Sequence, residues 1–278
     1  MGSAEGLLFD VPVDDYDTTL WAPLDKRLHE LGATMRLGAP VSDLVVGDDR
    51  VTARVGDEHL EADACVLAAD PRAARALIDA LPDADASWRA SVAATRNAPP
   101  FVVVRLWLEK PVDADRPAFL GTSGYGPLDN VSVLERFEAG AADWARSNGG
   151  SVVELQAYAC DPAVASDPAA ADAVAATLED ELHRVFPETR SIPVLHREVL
   201  TRDDCTLITP RPWQARPGVR TPPPRLVLAG DWVRCEHPVA LMERAATTGF
   251  LAANELLGGW GVRGQDVWTV PVRGLLAR

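Results

Sequence analysis

The stretch from Leu226 to Leu257, LVLAGDWVRCEHPVALMERAATTGFLAANELL, decides the fold. Leu226, Val227, Leu228 and Ala229 form an apolar run without alternation, the pattern of a strand buried on both faces of a parallel sheet. Gly230 and Asp231 end it with turn chemistry, a polar loop from Trp232 to His237 follows, and Pro238 stands where a first helical turn tolerates a missing N–H. The spacing predicts a helix from about Val239 to Leu257, closed by Gly258 in a left-handed conformation. Asp231 leaves the carboxyl end of a buried strand, where open α/β sheets bind their ligands, and the N–H groups of Val239 to Met242 face the same crevice. A helix start carries roughly half a positive charge and suits a carbonyl or developing anion, while Asp231 accepts from hydroxyls. Ala245, Ala246, Gly249, Ala252 and Ala253 would let one helix face approach another backbone closely. On spacing alone, an ordinary strand, loop and helix with a small-residue core face fits equally well.

Working outward, composition bounds the function. The net charge of −14 and isoelectric point near 4.8 exclude a nucleic-acid partner, and Lys26 and Lys110 are the only lysines, so no lysine-rich patch exists. Cys65, Cys160, Cys205 and Cys235 lie far apart with no C-x-x-C pair and no His at metal-ligand spacing, which points to no metal and no disulfide framework. The N-terminal residues are acidic and do not read as a signal peptide, and no window reaches the ~18 apolar residues of a membrane span. The expectation is a cytoplasmic protein, with contact to a membrane surface left open.

Towards the N-terminus, Leu24, Leu28 and Leu31 predict a short helix stopped at Gly32. Strands follow at ATMRL, VSDLVV, RVTARV and HLEA, and then a fully apolar strand from Ala64 to Ala69, with a helix from Asp70-Pro71 to about Leu81. The middle changes character. A helix around Ala84 to Arg96 leads into alternating strands at FVVVRLWLE, VSVLERF, SVVELQAYA and PVLHREVLTR, with helices at about Glu138–Ser147 and from Pro168 to about Phe186, an antiparallel α+β pattern. Gly259-Trp-Gly-Val-Arg-Gly264 matches G-x-G-x-x-G formally, but it follows a helix instead of a strand and is rejected as a phosphate site.

Ala229-Gly-Asp231, a short loop, and then Pro238-x-x-x-Met242-Glu-x-Ala245-x-x-x-Gly249-x-x-Ala-Ala-Asn254 resemble the C-terminal flavin motif of the FAD-dependent amine oxidase and carotenoid desaturase superfamily. Leu28, Gly32, Val41 and Leu44, followed by Ala62-Asp63-x-x-Val66-x-Ala68, resemble a second block of it. The resemblance implies FAD as cofactor. It puts the ribityl chain on Asp231 beside Gly230, the pyrimidine edge of the flavin on the backbone at Leu241 and Met242, the adenine on the backbone of Val41, and the dinucleotide close to Ala68 and Ala69. Relatives often carry Gly after the Glu, where this chain has Arg244.

The superfamily opens with a strand, a Gly-rich turn and a helix that grip the pyrophosphate, and these residues contain no counterpart. The resemblance therefore implies α/β plus α+β architecture: a glutathione-reductase-like FAD fold lacking its N-terminal βαβ, with an antiparallel-sheet substrate domain. The expected segments are a lead-in at 1–22, FAD-domain portions at 23–82 and 205–258, the substrate domain at 83–204 and a tail at 259–278. A truncated or split protein, with a partner chain carrying the N-terminal half, is the corresponding expectation. Residues 137–159 and 259–276 are most similar to isorenieratene synthase-like carotenoid desaturases, which implies hydride removal from a carotenoid end ring to flavin. A flavin amine oxidase, with Trp213 as its one visible flavin-flanking aromatic, and a non-catalytic accessory subunit stay open. No acid or base residue is nominated; His237, in the loop before the helix, is a minor candidate.

Overall fold

The computed structural model describes residues 11–82, 84–210 and 212–269. The expected N-terminal lead-in and C-terminal tail lie partly outside them. Two compact units form, each from two separated segments: one from residues up to Arg36 with Pro99–Asp203, the other from Leu37–Ala98 with Asp204 onward. Both differ from the expected segments, since the first helix belongs with the larger sheet and residues 84–98 with the other unit.

The first unit is built on β5 (Phe101–Leu108), flanked by β8 (Ser151–Ala157) and β9 (Val194–Arg202), with β7 (Asn130–Val133) and the short β6 (Phe119–Gly121) extending the sheet in the order β6-β7-β8-β5-β9. All neighbours pair antiparallel. Alternation in FVVVRLWL decides which face is dry: Val102, Val104, Leu106 and Leu108 are buried, and Arg105 and Trp107 stand on the other face. Helix α5 (Pro168–Val185) covers the dry face with Ala171, Ala175, Leu178 and Leu182, at the i, i+4, i+7, i+11 spacing of one helical stripe. Asp167 caps its start by accepting from the Ala169 N–H. On the opposite face Arg105 clasps Glu154 of β8 through Nε and Nη2, at 3.1 and 2.7 Å, and the Trp107 and His196 rings pack at 4.8 Å.

Before the sheet, a π-helical turn at Asp17–Trp21 runs into α1 (Ala22–Glu30), and Gly32 follows with φ +87° as the expected stop. Helix α4 (Ala139–Asn148) ends at Gly149 in the left-handed region, and the next residue has no room for a side chain: a Cβ on Gly150 would stand 1.9 Å from the Leu108 carbonyl oxygen.

The second unit holds an antiparallel meander of β1 (Val41–Val46), β2 (Val51–Val55) and β3 (Glu58–Ala62), and a parallel pair, β4 (Cys65–Leu67) with β10 (Leu226–Leu228). ATMRL is not a strand: no ladder pairs it among the described residues, and Leu37 is exposed. β4 is also shorter than the expected Ala64–Ala69 run and is not buried on both faces, because Val66 is 42% exposed. β10, in contrast, is buried throughout.

Helices α2 (Pro71–Asp79, capped by Asp70), α3 (Ala86–Ala93, capped by Asp85) and α6 (Leu241–Gly259) complete the unit. Its core joins Leu44, Leu67, Ile78, Trp88, Leu226, Leu228 and Trp232. Among the described residues no helix is long and apolar enough to cross a membrane.

Replacing Gly150 by Ala is expected to push the chain entering β8 away from the end of β5 at Leu108, lowering stability by about 1–3 kcal/mol; urea unfolding with an unchanged midpoint would refute this account of the contact.

Candidate functional site

The parallel pair sets the site. Cys65 N–H donates to Arg225 O at 2.8 Å and Ala229 N–H to Leu67 O at 3.1 Å, so the two chain directions run side by side and end together at Ala69 and Gly230. One step further the Trp232 indole Nε1–H donates to Ala69 O at 2.9 Å. Gly230 takes φ +142°, and a Cβ there would sit 2.7 Å from the same indole nitrogen. Only glycine lets the chain turn this tightly over Trp232. Ala69, Gly230 and Asp231 are thus brought together, as expected of a crevice at strand carboxyl ends. Val41 opens β1 in the separate meander, paired with Val55 and 42% exposed, and the fold does not bring it to that crevice through β4 or β10.

The segment after Asp231 is not the polar loop its pattern suggests. Trp232, Val233 and Cys235 are all buried. Helix α6 begins two residues later than expected, at Leu241, with Ala240 as a cap that lends no side-chain hydrogen bond. Leu241 itself has φ +51°, a region few non-glycine residues occupy. Leu241 and Met242 are 74% and 66% exposed, and no hydrogen bond among the described residues engages the N–H groups of Leu241, Met242 or Glu243.

Gly258 lies inside the helix. The left-handed residue is Gly261 (φ +69°), with Val262 N–H reaching back to Leu257 O at 2.8 Å. The small-residue stripe forms the packed face only in part, through Ala252. Thr247, Thr248 and Ala252 are buried, Ala252 against Val227 and Ala229, while Ala246 and Ala253 are exposed.

Several side chains around Asp231 carry no motif. Thr206 Oγ1 donates to Asp231 Oδ1 at 2.5 Å, and no donor among the described residues reaches Oδ2. Thr248 Oγ1 accepts from the Gly230 N–H at 2.9 Å while lying 2.9 Å from Arg244 O, the i−4 position its own hydroxyl can donate to. Arg244 donates to Val239 O through Nε and Nη2, at 2.9 and 2.6 Å, and to Asp231 O through Nη1 at 3.3 Å. The Trp213 ring lies 5.2 Å from the Arg216 guanidinium and 5.4 Å from that of Arg244. Burial, then the neighbouring Arg244, pull Arg216 below its ordinary pKa, and Asp231 opposes them. A cavity of about 30 Å³ between Arg216, Trp232, Thr206 and Thr95 has room for water, not for a cofactor. His237 turns a buried Nδ1 inward with no hydrogen-bond partner among the described residues. No group of His, Cys, Asp and Glu among the described residues is placed to hold a metal.

Thr248→Val keeps the shape and strips the Gly230 N–H of its acceptor, so a loss of about 1–3 kcal/mol is expected, with fluorescence of buried Trp232 reporting loosening; unfolding indistinguishable from the parent would remove Thr248 from this role.

Residues 12–257 match the model of the family described as flavin containing amine oxidoreductase. The chain is 50% identical over 288 residues to carotenoid phi-ring synthase of Streptomyces griseus, a match covering 99% of this chain and 52% of that protein. It is 37% identical over 220 residues to carotenoid phi-ring synthase of Chlorobaculum tepidum, covering 79% of this chain and 34% of the relative. The chain thus spans about half the length of the first of these relatives and about a third of the second. Among solved structures, cyclohexylamine oxidase from Brevibacterium oxydans superposes with a TM-score of 0.55 at 16% identity over 86% of this chain and 53% of that one, a likeness of fold. With the matched region running from ahead of α1 through almost all of α6, the chain belongs to the flavin containing amine oxidoreductase family.

Proposed function

We propose that this chain forms part of an FAD-dependent oxidoreductase of carotenoid biosynthesis that removes hydride from a carotenoid end ring in the course of its aromatisation. The observation that carries the reading is the 50% identity to a carotenoid phi-ring synthase along 99% of this chain. The residues at the β4–β10 ends suit the cofactor. Asp231 Oδ2 is open to hydroxyl donors, as a ribityl chain requires, and the unengaged N–H groups at Leu241 and Met242 suit a pyrimidine carbonyl. Gly230 and Ala69 contribute backbone shape beside it, and Val41 takes the adenine end in this reading. When bound, FAD supplies the hydride acceptor. The chain's own part is to hold the ring system, keep water from it and present an unengaged helix start to the edge where negative charge develops.

In this assignment the unit of 37–98 with 204–269 is the flavin-end portion of the FAD fold, and the unit built on the five-stranded sheet is the substrate portion. The coverage of about half the Streptomyces relative supports a pyrophosphate-gripping βαβ contributed from beyond these residues, in the same chain or a partner. A carotenoid substrate also implies contact with a membrane surface, where such molecules dissolve. The amine oxidase alternative is weaker on one observation: Trp213 is already engaged by the Arg216 and Arg244 guanidiniums.

Asp231→Ala, made in the chain assembled with the complementary N-terminal half, should release most of the FAD on gel filtration, read from the flavin absorbance per protein. Unchanged flavin content would take Asp231 out of the site.

A further inference from the structure

Arg244 joins three stretches that no ladder holds together. Its guanidinium reaches back five residues to Val239 O and thirteen to Asp231 O, and its central carbon lies over the ring of Trp213, 5.4 Å from the centroid, in the 3₁₀ turn at Trp213–Ala215. Between its two main-chain anchors runs the whole connection from β10 to α6, whose buried Trp232, Val233 and Cys235 cannot turn to water for their backbone partners. The connection then enters α6 through a left-handed Leu241 and a cap with no side-chain hydrogen bond, so the helix start has little local support of its own.

We infer that Arg244 is a positioning residue that clasps the 231–240 connection, fixing Asp231 and the first N–H groups of α6 in one relative placement. This rests on the flavin reading, because the two groups it fixes are the ones assigned there to the ribityl chain and the pyrimidine edge. The chemistry selects arginine. Two N–H groups converge on one carbonyl while a third serves another, and the plane still offers a face to an indole. Lysine carries the same charge but neither the fork nor the plane, and glycine removes the clasp.

Hydrogen exchange of the full chain tests the clasp without any cofactor. In both Arg244→Lys and Arg244→Gly the hydrogen-bonded amides of the connection, those of Val233, Arg234 and Val239, should exchange on the order of tenfold faster, with those of β5 and β8 unchanged. In the FAD-loaded assembly with the complementary half, both variants should release FAD with a Kd raised by about tenfold. A residue serving only general stability would instead lower the melting temperature and leave exchange uniform. Unchanged local exchange in Arg244→Lys overturns the inference even if Arg244→Gly fails to fold. Faster exchange with a Kd within about twofold of the parent overturns the link to the cofactor. An assembly that takes up no FAD in its parent form sinks the flavin reading, and exchange alone then decides whether Arg244 sets the connection.

Discussion

Everything at the candidate site depends on the parallel pairing of Cys65–Leu67 with Leu226–Leu228. Three residues a side is little ladder, and each such hydrogen bond contributes about 1 kcal/mol net. The stabilisation comes from what the pair buries. Leu67, Leu226, Leu228, Ile78 and Trp232 share one core, at roughly 1.5–3 kcal/mol for each large aliphatic side chain taken from water. Parallel strands cannot be joined by a hairpin, so the chain must leave after β4 and return before β10. It uses that excursion to build an entire antiparallel sheet with its own core.

Past the strand ends, the chain solves a harder problem than a surface loop does. A connection with apolar residues packed inward needs internal partners, and four side chains tie it down: Thr248 accepts from the Gly230 N–H, Arg244 donates to Asp231 O and Val239 O, the Trp232 indole donates to Ala69 O at the end of β4, and Thr206 donates to the Asp231 carboxylate. Each comes from a different position along the chain. Their convergence leaves Asp231 Oδ2 and the N–H groups of Leu241, Met242 and Glu243 without partners among the described residues.

The parts of this arrangement that were legible in the residues are those with a period or a turn chemistry. The alternation in FVVVRLWL, the helix from Pro168 to about Phe186, the Gly230-Asp231 turn and the Asp70-Pro71 helix start all read directly from the residues. ATMRL alternates as a strand would but finds no ladder among the described residues, because pairing is a property of neighbours and not of a segment. The loop after Asp231 reads as polar because Arg234, Glu236 and His237 sit among Trp232, Val233 and Cys235, which the fold buries. Thr206, Thr248 and Arg244 had no motif to announce them. A threonine in the middle of a helix and an arginine one turn ahead of it were the available signals, and each gains meaning only once its main-chain partner is known. The helix begins two residues beyond the start that Pro238 suggests, because Pro238 suits a first turn but the left-handed Leu241 resets the chain after it.

The interleaving of the two units has a kinetic side. Each is stitched from segments on either side of the other, so neither is finished when its first segment has been made. During synthesis β4 and α2 exist long before β10 and α6 can cover them, and Leu67 and Ile78 stay without Leu226, Leu228 and Trp232 for that interval. Contacts this distant in sequence close slowly, and exposed strand edges and leucines invite association with other chains in the meantime. Yield on expression should therefore respond more to temperature and chaperone supply than the packing of the finished molecule would suggest.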